Sequence, residues 1–271
     1  MGKLDGKVAF ITGAARGQGR SHAITLAQAG ASIIAIDISD QIPSVQYAMA
    51  SPQDLAQTVK EVIAVGGQIH AVQADVRDVS ALTAALNEGV AKFGGVDIVL
   101  ANAGIAPMSL HPTDEEWQDV LDVNLTGVYN TIRISSPLMI SQGRGGAIVV
   151  TSSAAGLTGI GGNTPGGLAY TASKHGVVGL MRAYANYLAP HSIRVNTVHP
   201  TGVATPMVLN PVMEEVLSSD EWSGGGMTNA LPVPMVEPID ITNAIMWLVS
   251  DDARYVTGVA LPVDAGFVNK R

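Results

Sequence analysis

The most informative cluster in this chain is a run of small residues, Thr12-Gly13-Ala14-Ala15-Arg16-Gly17-Gln18-Gly19, set between an apolar β-rich stretch and the start of a helical pattern. Glycines in that setting let backbone N–H groups approach a pyrophosphate at a helix N-terminus, where the partial positive charge favours an anion. Asp37 lies 18 residues beyond Gly19, at the end of the second apolar stretch. That spacing suits a carboxylate accepting hydrogen bonds from an adenosine ribose. A plain turn could explain the glycines alone, but the flanking strand, helix and acidic residue weigh against it. The chemistry served is dinucleotide binding. Asp37 would repel a ribose 2′-phosphate, and Ile38-Ser39-Asp40 brings no compensating cation, so NAD is expected over NADP.

The elements that must position these residues are legible as seven short, nearly continuous apolar runs at 8–12, 32–37, 69–74, 97–100, 147–151, 193–198 and 259–263. Continuous apolar runs fit parallel strands covered on both faces. The segments between them, 17–30, 54–66, 78–93, 113–142, 168–188 and 238–250, carry helical spacing and end near Gly or Pro. The expectation is an α/β fold, a Rossmann-type doubly wound, seven-stranded parallel sheet with helices on both faces, as a single domain over 1–271. Two stretches exceed that plan. Residues 38–53, with Pro43 and Pro52, form an extra loop beside the nucleotide site; residues 205–237, interrupted by prolines and Gly224-Gly225-Gly226, carry Met207, Leu209, Met213, Trp222, Met227, Leu231 and Met235. The second stretch suits an adaptable apolar substrate loop, because Met side chains are flexible and polarisable. Core filling or a subunit contact is its competing use.

Composition removes several classes of function. Fifteen Lys and Arg against 23 Asp and Glu give a net charge of −8, with no basic cluster, so nucleic acid is not an expected partner. There is no cysteine, which excludes disulfides, thiolate metal sites and a Cys nucleophile. The six histidines have no metal-ligand spacing, and no metal is expected. No apolar run approaches the roughly 18–20 residues of a membrane span, and the N-terminal residues lack a signal-peptide core, so no membrane association and a cytoplasmic location are expected.

With these motifs in hand, the chain resembles the short-chain dehydrogenase/reductase family from about Lys7 to Val268. Its glycine run has the family spacing, Asn102-Ala103-Gly104 after Ala101 resembles the Asn-Asn-Ala-Gly signature with its first Asn replaced, Asn124 matches the family's helix asparagine, and Tyr170-Thr171-Ala172-Ser173-Lys174 matches its Tyr-three residues-Lys core. The resemblance implies a catalytic set of Asn124, Ser153, Tyr170 and Lys174. Ser153 is chosen over Ser152 by the pattern Ser-two residues-Gly. It also implies cofactor contacts from Gly13, Arg16, Gln18, Gly19, Asp37, Ile38, Asp75, Val76, Asn102, Ala103, Gly104, Tyr170, Lys174, Val203 and Thr205. The gap from Ser153 to Tyr170 is about four residues longer than usual, pointing to an insertion around 159–167. Arg16 is at odds with Asp37, since a basic residue there often marks NADP enzymes in the family; the carboxylate is expected to prevail. A narrower resemblance, in Gln18 and the 38–53 loop, is to the mycofactocin-coupled subgroup that includes carveol dehydrogenases. It implies a tightly bound NAD reoxidised in place by the mycofactocin redox carrier.

Physical chemistry supports the same roles. Residues four apart on a helix share a face, so Tyr170 and Lys174 are neighbours. A free phenol, with a pKa of about 10, is ionised only about one part in a thousand at pH 7, a deficit of roughly 4 kcal/mol. A nearby ammonium and a pyridinium charge would reduce that deficit. Tyr170 is thus expected to be the general base in alcohol oxidation, with Lys174 lowering its pKa and holding the ribose, Ser153 orienting the substrate oxygen and Asn124 fixing a relay water. The expected substrate is a hydrophobic secondary alcohol or its ketone, terpenoid such as carveol or steroid-like, lined in part by Leu157 and Ile160. A 3-oxoacyl or other carbonyl reductase is the alternative within the enzyme class; a non-catalytic nucleotide sensor or scaffold is the alternative outside it. Along the Tyr170 helix, Val177, Leu180, Met181, Tyr184, Tyr187 and Leu188 are expected to pack on the sheet. Ala172, Gly176, Gly179 and Ala183 form a small-residue strip for helix contact, and the family resemblance implies a homotetramer.

Overall fold

The strands pair in the order β3-β2-β1-β4-β5-β6-β7, every pair parallel, in the computed structural model, which describes residues 2–219 and 228–270. They span β1 Val8–Thr12, β2 Ser32–Asp37, β3 Gln68–Gln73, β4 Ile98–Ala101, β5 Gly146–Thr151, β6 Ile193–Pro200 and β7 Ala260–Val263. The helices are α1 Gly17–Gln28, α2 Pro52–Ala64, α3 Val79–Phe93, α4 Glu115–Leu121, α5 Gly127–Gln142, α6 Pro165–Leu188, α7 Pro211–Ser218 and α8 Pro238–Val249. The expected single Rossmann-type α/β sheet is present. Successive residues of one strand feed opposite faces: Phe10 enters a core with Leu86, Ile132 and Met181, while Ala9 and Ile11 enter a second core with Leu26, Val62 and Ile245. Both faces are therefore covered, which is why the strands read as unbroken apolar runs. Strand order reverses between β1 and β4, and a crevice opens at their carboxyl ends.

Three differences from the expected elements have clear causes. The 113–142 helix is divided by a π turn, Asp122–Thr126, which inserts one residue without stopping the helix. Helix α6 starts at Pro165 instead of 168, because Thr164 accepts from the Gly167 N–H at 3.1 Å and proline fills the first turn. A helix, α7, forms inside 205–237, capped by Asn210 accepting from Met213 N–H at 2.9 Å. On α6 the buried stripe is Val177, Val178, Met181, Ala185 and Leu188; Tyr187 is instead 63% exposed and Tyr184 half-buried. The small strip divides in use. A side chain at Gly176 would stand 2.9 Å from Leu125 Cδ1, whereas Gly179 faces open space. Among the described residues no helix is long and apolar enough to cross a membrane.

The α1–α8 contact carries a pH liability. His22 is fully buried, its Nδ1 is 2.8 Å from Thr242 Oγ1, and its Nε2 has no partner. Burial drives the imidazole down to about 3, so the native protein holds it neutral while the unfolded chain protonates near pH 6.5. Between those values the unfolded state binds the extra proton, and stability falls as pH falls. Unfolding in urea should therefore show about 2 kcal/mol less stability at pH 5 than at pH 7 from this group. His22→Asn should flatten that dependence whatever its baseline stability; an unchanged slope would contradict the assignment.

Candidate active site

The turn joining β1 to α1 runs close under the β4 end. Gly13 has φ +69°, and a Cβ there would meet Ala103 Cα at 2.8 Å; Gly17 has φ +55°, and its Cβ would approach Thr205 Cγ2 at 3.2 Å. Both positions need the left-handed backbone and the empty space that glycine supplies. No side chain caps the first turn of α1. Its N–H groups thus remain directed at the crevice, as a pyrophosphate requires. The cradle fits a dinucleotide on this chain's own geometry.

Asp37 closes the adenosine end. Its Oδ2 accepts from the Ala15 N–H at 2.9 Å and its Oδ1 from the Ser39 N–H at 3.0 Å. Burial pushes the carboxyl up, while those two N–H groups and the Arg16 guanidinium pull it back. Arg16 donates from Nη2 to Ala48 O at 2.8 Å, in the extra loop. The cation that conflicted with Asp37 in the sequence is thereby tied to the loop. Ile38, Asp75 and Val76 line the same wall. Both Asp75 oxygens are held by Arg77, from its backbone N–H at 2.9 Å and its Nε at 2.8 Å.

The extra loop ends at Ser51 instead of 53, because Ser51 caps α2 and Pro52 opens it, and the loop is not a surface elaboration. Ile42, Val45 and Tyr47 are buried in the main core, and Ile42, Tyr47, Met49 and Ala50 form one wall of the crevice. Gln41 knits the loop together, accepting from Met49 N–H at 3.0 Å and donating to Val45 O at 2.6 Å. Three bonds strap it to the opposite wall. Ser44 Oγ donates to Asp119 Oδ2 at 2.6 Å, Gln46 Nε2 to His111 O at 2.8 Å, and Ala106 N–H to the Tyr47 hydroxyl at 3.2 Å.

Asn102 holds strand ends together at the switch point. Its Nδ2 donates to Thr12 O at 3.1 Å and Gly13 O at 3.3 Å, and its Oδ1 accepts from Thr151 Oγ1 at 3.3 Å. Ala103 and Gly104 continue along the crevice floor, where a Cβ on Gly104 would stand 3.3 Å from Asn124 Oδ1 and 3.7 Å from Lys174 Nζ. The π turn directs Asn124 inward, and its amide exchanges two 2.8 Å bonds with the Ile105 backbone. Such a turn is a frequent companion of functional sites. The Asn124 side chain thereby shapes the 102–106 segment.

Ser153, Tyr170 and Lys174 converge in a pocket shared with Gln18, Val203, Thr205 and Met207. Lys174 is buried, donates from Nζ to Thr151 O at 2.8 Å, and lies 5.4 Å from the Tyr170 ring centre. Burial drives its ammonium down to about 8. Burial also pushes the Tyr170 phenol up, and the neighbouring Ser153 side chain opposes the rise. Desolvation is the larger influence of the two. Ser152 is used structurally, its Oγ donating to Lys174 O at 2.9 Å. His175 bonds back to Thr171 O within its helix. Met207 and Val208 form the apolar side of this pocket, while Leu157, expected there, is 37% exposed. Met213 packs inward and Met235 lies against Gly202; Trp222 and Met227 fall outside the described residues. Val203 pairs with Val236 as a short parallel bridge, which seats the return of the substrate loop beside Thr205. Among the described residues no group of three or more His, Asp or Glu is placed to hold a metal.

Tyr47, in a loop without periodicity, and His199, among histidines without metal-ligand spacing, stand beside the site as well. Neither has a spacing signal that would have singled it out.

Comparison with known proteins finds relatives along the whole chain. Residues 7–215 match the short chain dehydrogenase family model. An uncharacterised oxidoreductase of Mycobacterium tuberculosis is 59% identical over 269 residues, covering 99% of this chain and 98% of its own. A (−)-trans-carveol dehydrogenase of Rhodococcus erythropolis is 47% identical over 277 residues, covering 98% and 99%. Among solved structures, carveol dehydrogenase from Mycobacterium avium in complex with NAD superposes with a TM-score of 0.92 at 48% identity over the whole of both chains.

Proposed function

The chain belongs to the short-chain dehydrogenase family, and on that premise we propose that it oxidises a hydrophobic secondary alcohol, a terpenoid such as carveol or a steroid-like one, to the ketone. NAD, when bound, supplies the hydride acceptor. The observation that carries the proposal is the convergence of Ser153, Tyr170 and Lys174 beside the glycine cradle, under the apolar cover of Met207 and Val208. Ser153 orients the alcohol oxygen, Tyr170 takes its proton, Lys174 supports the phenolate and the ribose, and Asn124 holds the floor from which a relay water leads outward. Asp37, with Arg16 turned to Ala48, favours NAD over NADP.

The strapped 38–53 loop supports a tightly held NAD. Slow exchange in turn implies reoxidation in place by a redox carrier, for which mycofactocin is the candidate, and a cytoplasmic location suits such a cycle. A homotetramer accounts for two exposed apolar faces: Tyr129, Leu168 and Tyr187 on α5 and α6, and Ile239 and Trp247 on α8 with Val259 beside the edge strand. Native mass spectrometry tests nucleotide and assembly together, and anaerobic addition of (−)-trans-carveol tests the chemistry. Four chains, each with one NAD, and a stoichiometric rise in reduced-nicotinamide absorbance are expected, with NADP unable to substitute. Protein free of nucleotide that reduces neither cofactor with terpenoid or steroid alcohols would refute the reading.

A further inference from the structure

We propose that His199 is a positioning residue for alcohol oxidation, holding Ser153 in place through the Ser153 main-chain carbonyl. His199 lies near the end of β6 and is fully buried. Its Nδ1 is 2.8 Å from Ser153 O, and its Nε2 is 2.8 Å from Thr197 Oγ1. A carbonyl only accepts, so Nδ1 carries the hydrogen; on a neutral imidazole Nε2 then accepts from the Thr197 hydroxyl. Burial and the nearby Lys174 and His175 lower the imidazole's proton affinity, against the Ser153 carbonyl and Asp264, which agrees with the neutral form. The Ser153 carbonyl thus selects the tautomer, and Thr197 supports it by occupying the other ring nitrogen, as an outer partner fixes the ring of an orienting histidine.

The grip acts where alignment matters. Ser153 is the extended residue that caps the turn Ala154–Gly156, and its Oγ accepts from Ala155 N–H at 3.1 Å in the pocket it shares with Tyr170. His199 fixes the main chain of that residue from below, and Ala155 fixes its hydroxyl from above. The other fully buried histidine, His22, has one nitrogen without a partner; His199 has both engaged, one of them on a residue of the reacting set. Displacements of about 1 Å in such a set cost on the order of a hundredfold in rate.

The inference rests on the reading that Ser153 contacts the substrate oxygen, and a double-mutant cycle separates the two. The probe is the single-turnover oxidation of (−)-trans-carveol by the NAD-loaded full-length protein. Ser153→Ala should slow it strongly. His199→Leu should slow it roughly tenfold to a hundredfold with NAD content unchanged. His199→Asn, whose amide N–H can replace Nδ1–H, should recover most of the rate, and Thr197→Val should fall between, having lost the partner that anchors Nε2. In the Ser153→Ala background, His199→Leu should change the rate by less than about twofold. Multiplicative effects of the two substitutions, or a His199→Leu protein as fast as the parent, overturn the His199 assignment alone. A silent Ser153→Ala overturns the reading of Ser153, and His199 with it. Should His199→Leu not fold, Thr197→Val in the same cycle decides the matter by the same criteria.

Discussion

Tyr170→Phe is expected to slow oxidation of the proposed alcohol substrate by about a thousandfold or more, within the range for removing a positioned acid–base group, and equivalent to about 4 kcal/mol of transition-state stabilisation. The substitution keeps the half-buried ring and its packing and deletes only the phenolic oxygen. Nucleotide retention should be unchanged, because the cradle of Gly13 and Gly17 and the Asp37 carboxylate lie on other elements. Stopped-flow turnover beside nucleotide content in the same preparation measures both. A variant that retains NAD and full turnover would remove Tyr170 from the chemistry. One that loses both would show that the phenol also holds the nucleotide.

The second large effect concerns release of that nucleotide. Combining Ser44→Ala, Gln46→Ala and Tyr47→Phe deletes all three bonds of the strap. Each hydrogen bond is worth about 0.5–1.5 kcal/mol net, so together they should hold the loop shut by about 1.5–4.5 kcal/mol. Release should accelerate by roughly ten- to a thousandfold. Trapping experiments with isotopically labelled NAD, read by mass spectrometry, give the exchange rate directly. Exchange as slow as in the parent would mean that the cradle alone sets retention and that the loop is a bystander.

Much of this arrangement could be read from the chain before any coordinates, for physical reasons that differ by region. Strands buried on both faces leave no polar residue to interrupt 8–12 or 147–151, so their runs were unmistakable. The cradle was equally plain, because close backbone approach demands glycine at Gly13 and Gly17. What escaped notice has no local signature. A π turn differs from a helix by one residue of register, and nothing in Asp122-Val123-Asn124 announces it. Gly161-Gly162-Asn163-Thr164 reads as loop throughout, although Thr164-Pro165 is also a helix start, and the longer α6 followed from that cap. The conflict between Arg16 and Asp37 was visible, but its resolution depends on Ala48, a carbonyl 32 residues away that no pattern connects to Arg16. His199 and Tyr47 belong to the same class. Their value comes from partners on other strands and loops, the Ser153 carbonyl and the Ala106 N–H.

A crevice roofed by the protein's own backbone also governs the order of events. If the strap stays closed through a catalytic cycle, the alcohol and whatever later collects its electrons must visit the Tyr170 pocket in turn, never together. Their concentrations would then compete for one doorway, and double-reciprocal plots for the two would run parallel instead of crossing. The enzyme would behave as a shuttle charged and discharged at a single port, with its pyridine nucleotide as a resident part of the machine.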